Sequence, residues 1–297
     1  MLRYCVKTLK SVGGHLRMTF LSVVWIAVAA FTISAQLPAD LDSLGERVRY
    51  GDDDVKRDAL QAIARIKSEE ASRLAIPALT DPSELVRATA VGAIVSLPPR
   101  EVYELLLPLL SAREDFVRRE TAYALGDIEY EKVADTLVAT YNKNSDREYK
   151  AAVLEAVGKT GNTSHFQFLN GVLSKKPQDK DAFIRRSAAR AIGRIAERAN
   201  GLAPLKTTPE NFLASKYKST ATPIFANVGS MESLLKTLSK ILENRKESPD
   251  TVREAAFALG AIGDPSAASI LDRCSESTEI YLSEICREAR MRIPPTD

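Results

Sequence analysis

VRRETAYALGDI, residues 117–128, is one of six copies of a single pattern in this chain. The others are VKRDALQAIARI (55–66), VRATAVGAIVSL (86–97), YKAAVLEAVGKT (149–160), IRRSAARAIGRI (184–195) and TVREAAFALGAI (251–262). One column falls at Ala64, Val95, Gly126, Gly158, Gly193 and Gly260, with spacings of 31, 31, 32, 35 and 67. Two residues before it stands alanine in every copy: Ala62, Ala93, Ala124, Ala156, Ala191 and Ala258. A fixed internal period of this length is the mark of stacked repeats, each too small to bury a core by itself.

The period inside each copy is helical. At about 100° per residue, the positions 9, 5, 2 and 1 before the column and 2 after it fall on one side, and they are mainly apolar. The alanine fits a place where helices cross too closely for a larger side chain. Another amphipathic stretch precedes each copy: LDSLGERVRY, EEASRLAIPAL, REVYELLLPLL, VADTLVATY, FQFLNGVL and MESLLKTLSKIL. The joints carry turn and N-cap residues, as in Asp81-Pro82-Ser83, Asn144-Ser145-Asp146 and Ser248-Pro249-Asp250. The expected fold is all-α, a solenoid of about seven helix–turn–helix units.

VRRETAYALGDI and VREAAFALGAIGDPSA resemble the short HEAT-like repeats named after phycobiliprotein lyases. In that family an apolar-Arg pair opens the second helix and Ala-Leu-Gly closes it. The resemblance spans about residues 40–199 and 231–293 and implies that second helices line a concave binding face. It is specific for fold and poor for function, since one fold hosts many roles. The first two repeats lack the glycine and the last keeps only the spacing, as capping repeats do.

Residues 200–230 break the rhythm where the spacing doubles, and read as an irregular insertion or a decayed repeat. The expected layout is therefore 1–35, repeats over 36–199, the interruption, and further repeats with a cap over 231–297. Residues 1–35 stand apart. Arg3, Lys7, Lys10 and Arg17 form a basic start, Met18–Ala35 is uncharged and mostly apolar, and Ile33-Ser34-Ala35 closes it with small residues. That order is the secretory signal pattern, so export to the periplasm or outside is expected. The run is also about as short as a membrane span can be, so an anchor formed by 18–35 stays open, as does a buried helix. Without this segment the charge of +2 becomes 37 basic against 39 acidic residues, which argues against a nucleic-acid protein.

The inventory of chemistry is thin. Beyond residue 35 there is one histidine, His165, whose place at a helix start suggests capping. There is no phosphate loop, HExxH or nucleophile elbow, and no metal or cofactor is expected. Deoxyhypusine hydroxylases, which are HEAT-like, hold iron with His-Glu pairs, but the matching positions here are Arg119-Glu120 and Arg253-Glu254. A non-catalytic scaffold for a protein or peptide is the reading these residues favour. A lyase-like accessory enzyme acting on a bound polypeptide and a binder of anionic polymers remain alternatives.

Two basic features stand out. Lys56, Arg87, Arg118, Lys150 and Arg185 recur one residue inside each second helix, with Asp54, Glu84, Asp115, Glu148 and Asp181 just upstream as expected ion-pair partners. The outward stripe opposite the buried face carries Arg119 and Tyr123, then Arg186, Arg190 and Arg194, then Phe257. These six are the candidate partner-binding residues. Like charges four apart repel, so the three arginines suggest use, with an acidic segment as their expected match. Cys274 and Cys286 could cross-link after export. Against that, Cys286 lies about two turns into the last helix while Cys274 is near the turn, so the pairing stays open.

Overall fold

The computed structural model describes residues 41–201 and 231–293, and these contain helices, 3₁₀ segments and turns without a strand. They form two compact units, divided between Ala93 and Ile94. The first holds α1 (41–50), α2 (Asp53–Ile66), α3 (Glu69–Arg73) and α4 (Glu84–Ala93). The second holds α5 (Pro99–Leu106), α6 (Asp115–Gly126), α7 (Lys132–Tyr141), α8 (Arg147–Thr160), α9 (Phe166–Leu173), α10 (Ala182–Ala199), α11 (Met231–Glu243), α12 (Pro249–Ile262), α13 (Ala268–Ser275) and α14 (Ile280–Met291). The signal or anchor expected over 1–35, and all but the first two residues of the 200–230 interruption, lie outside the described residues.

In the second unit the second helices α6, α8, α10, α12 and α14 make one layer, each packed on the next, and the first helices make the other. Pro77 and Pro108 convert the ends of two first helices into 3₁₀ turns, because a proline ring cannot sit in a helix interior. Asp52, Asp146 and Ser248 cap α2, α8 and α12 with side-chain oxygens, which accept from the otherwise unpaired amides of the first turn. His165 does the expected capping work. Its Nδ1 accepts from Asn162 N, and its Nε2 is 3.2 Å from Asp135.

The buried face is the one the periodicity predicts: Val117, Thr121, Val153, Ala188 and Ala255 are fully enclosed. The close crossing gains a specific partner. The alanine of one second helix lies against the glycine of the preceding second helix. A Cβ added at Gly126 would stand 2.8 Å from Ala156 Cα, and one at Gly158 would stand 2.9 Å from Ala191 Cα. The two columns are thus the two sides of one repeated contact.

The basic ladder differs from its expected pairing. Arg118 keeps its upstream carboxylate, Asp115. Arg87 and Arg118 also reach back to carbonyls at the end of the preceding 3₁₀ turn, those of Asp81 and Pro82 and those of Ala112 and Arg113. Lys56 pairs with Asp81 at 2.7 Å, and Lys150 lies over the Tyr141 ring. Arg185 is buried. It holds Glu247 with two bonds of 2.7 Å and donates to the carbonyls of Leu173 and Lys175. A side chain this long reaches the exposed carbonyls that end a helix, and those bonds satisfy acceptors that nothing else would.

α10 packs directly on α12, although 31 residues separate α10 from α11. Asn200 Nδ2 donates to the carbonyl of Ala261 at 2.8 Å. No layer of helices stands between these two, so the doubled spacing is not a doubled stack.

Cys274 and Cys286 are bonded, with their Cα atoms 5.8 Å apart, a span that a disulfide bridges without backbone movement. The pairing left open by the helix count is closed for a local reason. Residues 276–279 carry the chain past the end of α13, so α14 uses its first turn coming back. Ser283 Oγ then donates to the carbonyl of Ser275 at 2.7 Å, and Cys286 follows on the same face one turn later.

Candidate functional site

A cavity of about 350 Å³ opens between α10, α12 and α14. Its apolar surface comes from Phe257, Ile285 and Ala289, and its polar rim includes Arg186, Arg190, Arg253 and Arg292. Asp250, Glu254 and Glu288 alternate with those arginines around the rim. Phe257 is placed by the stacking rule already described. Here a phenylalanine ring, not an alanine, fills the space where a Cβ on Gly193 would go. That substitution of contact leaves the ring half-buried at the cavity and puts the Arg292 guanidinium 5.7 Å from its centre.

The three arginines of the expected basic patch are already paired. Arg186 Nη1 is 3.5 Å from Asp250, and its guanidinium lies over the Phe183 ring. Arg190 Nε donates to Glu254 at 2.8 Å, and Arg194 pairs with Glu155 on α8. The repulsion inferred from their spacing is offset by carboxylates on the adjacent helices, which no reading of α10 by itself could supply. The acidic segment expected to match a free positive face therefore meets a surface whose charge is largely balanced. Arg194 points away from the cavity, toward α8.

The same lattice continues elsewhere. Arg119 pairs with Glu148 across α6 and α8 and lies over Phe116, and Lys159 donates to Asp127 at 2.7 Å. Tyr123 is half-buried, and burial raises its hydroxyl pKa, with the nearby Glu155 carboxylate adding to the effect. The structure does not bring Arg119 and Tyr123 to the cavity that Arg186, Arg190 and Phe257 share. Six candidate residues thus separate into three at the cavity, one beside it and two on α6.

Asp250, Arg253, Glu254, Ile285, Glu288 and Arg292 complete the rim and were not singled out from sequence as binding residues. Arg292 carried no signal, since it lies in the degenerate last repeat, and its Nη1 reaches Glu197 across 95 positions at 3.0 Å. Burial pushes the Glu197 carboxyl upward despite the opposing charges of Arg292, Arg194 and Arg198. At Arg190 the bond to Glu254 holds the guanidinium proton more tightly still. Among the described residues no group of three or more His, Cys, Asp or Glu side chains is placed to hold a metal ion.

A family model described as HEAT repeats matches residues 41–125 and 73–158, and the PBS lyase HEAT-like repeat matches 252–277. No curated protein matches the chain at a significant level. The complex of CpcE and CpcF of phycocyanin lyase from Nostoc sp. is a similar solved structure. Its identity is 19%, with 84% of this chain and 86% of that chain covered and a TM-score of 0.47. A designed armadillo repeat protein in complex with the peptide (KR)4 is 15% identical over 86% of this chain and 99% of that one, with a TM-score of 0.39. Human deoxyhypusine hydroxylase in complex with glycerol is 16% identical over 87% and 97%, with a TM-score of 0.37. At these identities and scores the likenesses say nothing of activity.

Proposed function

The chain is a HEAT-like repeat protein, and from that premise we propose that it is a non-catalytic binding scaffold whose partner docks at the α10–α12–α14 cavity. The observation that carries this is the cavity's composition: half-buried Phe257 and Ile285 inside a rim of arginines. Aromatic and arginine side chains around a recess are what binding hot spots are made of. The partner we infer is a polypeptide segment that inserts an apolar side chain against Phe257 and Ile285. Its flanks would carry mixed charges, because Asp250 and Glu254 already neutralise Arg186 and Arg190.

We also propose that the protein is exported, on the basic–apolar–small order of its first 35 residues. The Cys274–Cys286 bond supports that reading, since such bonds persist in oxidising compartments. Intact mass of native protein should then give a chain beginning near Gln36; Met1 on soluble cytoplasmic material refutes export.

Docking is tested by capture from the native envelope fraction with the protein as bait. The partner should be retained by the wild type and by Tyr50→Ser, a change at an exposed site in the other unit. It should be lost with Ile285→Glu while the melting temperature holds. Equal capture by all three proteins rules the cavity out as the docking site.

A further inference from the structure

The α14 helix supplies Ile285, Glu288 and Ala289 to one side of the cavity, and Arg292 follows just beyond its end. Cys286 lies within that same short stretch and is completely buried, while its partner Cys274, in the last turn of α13, is half-buried. α14 is also the last second helix, so among the described residues it has a neighbour in its layer on one side only. A repeat with a layer neighbour on one side only receives about half the nearest-neighbour stabilisation of one flanked on both, and opens more readily. The disulfide ties α14 to α13, its other packing partner.

We propose that the Cys274–Cys286 bond is a redox latch on the cavity: oxidised it holds the α14 wall in place, and reduced it releases that wall. The inference rests on the docking reading, of which it is the regulation. The chemistry is thiol–disulfide exchange with a dithiol reductant. One thiolate attacks the more accessible Cys274 Sγ, the S–S bond breaks, and Cys286 leaves as a thiolate that takes a proton. The second thiol of the reductant then attacks the mixed disulfide and frees Cys274 as a thiol. The reductant departs as its own disulfide, having given up two electrons and two protons.

Once reduced, the wall keeps its remaining ties: the Ser283–Ser275 bond, the Gly260–Ala289 crossing and the Arg292–Glu197 pair. None of these constrains the opened state as a covalent loop does. Closing a loop of about this length restrains the open chain enough to change an opening equilibrium on the order of 100-fold. The cavity therefore loses its third wall intermittently in a reducing medium, while α10 and α12 stay packed.

Hydrogen exchange of the full chain, read by mass spectrometry before and after treatment with dithiothreitol, tests the latch without any partner. Amides of α14 should exchange on the order of 100-fold faster after reduction, those of α8 should be unchanged, and reoxidation should restore the original rates. The Cys274→Ser/Cys286→Ala variant should match the reduced protein. Unchanged α14 exchange on reduction overturns the proposal, as does finding both Cys274 and Cys286 as free thiols on the native protein. Partner capture is scored separately. Capture that is insensitive to Ile285→Glu refutes the docking site, whereas α14 rates that ignore reduction refute the latch even where docking is upheld.

Discussion

Gly158→Ala should destabilise the protein, against the usual expectation for such a change in a helix. Replacing a helical glycine by alanine ordinarily stabilises by about 0.5–1 kcal/mol, because alanine has less freedom to lose. At this position the new methyl would lie 2.9 Å from Ala191 Cα and 3.1 Å from Ala191 Cβ, where ordinary contact begins near 3.4 Å. The obstacle is backbone, so no rotamer change relieves it, and α8 and α10 must separate by several tenths of an ångström. Overpacking of this kind costs about 1–3 kcal/mol. The balance is a net loss of about 1 kcal/mol, or a midpoint lower by about 2–4 °C for a chain of this size. Gly171, exposed in α9, provides the control, since a Cβ there meets nothing within 4 Å. Gly171→Ala should raise the midpoint. Thermal and urea melts followed by circular dichroism at 222 nm read both changes. If Gly158→Ala raises the midpoint as Gly171→Ala does, the reasoning about a glycine–alanine contact between second helices is refuted.

Other outcomes follow from the ion pairs. Arg185→Ala leaves Glu247 buried without its two bonds and should cost about 3–5 kcal/mol, measured by urea unfolding. Arg190→Glu should lower the melting temperature by facing Glu254 with a like charge, and the added change Glu254→Arg should recover most of the loss. By the same reasoning, glutamate at 186, 190 and 194 together should destabilise, where a free basic face would have tolerated the reversal. Asp81 is partly desolvated, which opposes ionisation, but its bonds from Lys56 and Ser83 and the charges of Lys56 and Arg87 outweigh that and lower its pKa below 3.8. The stability it contributes is present above the unfolded value and lost as pH falls through the lower folded one. The wild type should therefore exceed Asp81→Asn by about 1.5–3 kcal/mol at pH 7, with the gap closing below pH 3.8.

The repeat, its helical faces and its capping residues were legible in the sequence because they obey local periodicities. Ala156 and Gly126 show where that legibility stops. Each belongs to a visible column, yet that one column packs against the other is a relation between successive helices, and no helical period encodes it. Arg190 looked free for the same reason, since its partner Glu254 lies on α12, beyond the 31-residue connection and the whole of α11. The cavity combines both difficulties. Phe257 was visible on the outward stripe, but Ile285 and Arg292 sit in a last repeat whose pattern has worn down to its spacing. Cys286 depended on how far residues 276–279 overshoot α13, and a count of helical turns does not contain that distance.

The direct seating of α10 on α12 bears on how this chain can change length. Five residues join α8 to α9, whereas 31 join α10 to α11. By chain length alone, closing a connection of the longer size in place of the shorter costs only about 1.6 kcal/mol of entropy, and each further doubling about 0.6. Arg185 with Glu247, Arg190 with Glu254 and Asn200 with the Ala261 carbonyl clamp the two sides of that joint through space. Continuity of the array at this point is carried by side chains and not by the peptide thread. Here the polypeptide can gain or shed sequence, or be nicked, while the repeats on either side remain in register, a licence that the five-residue joint between α8 and α9 does not extend.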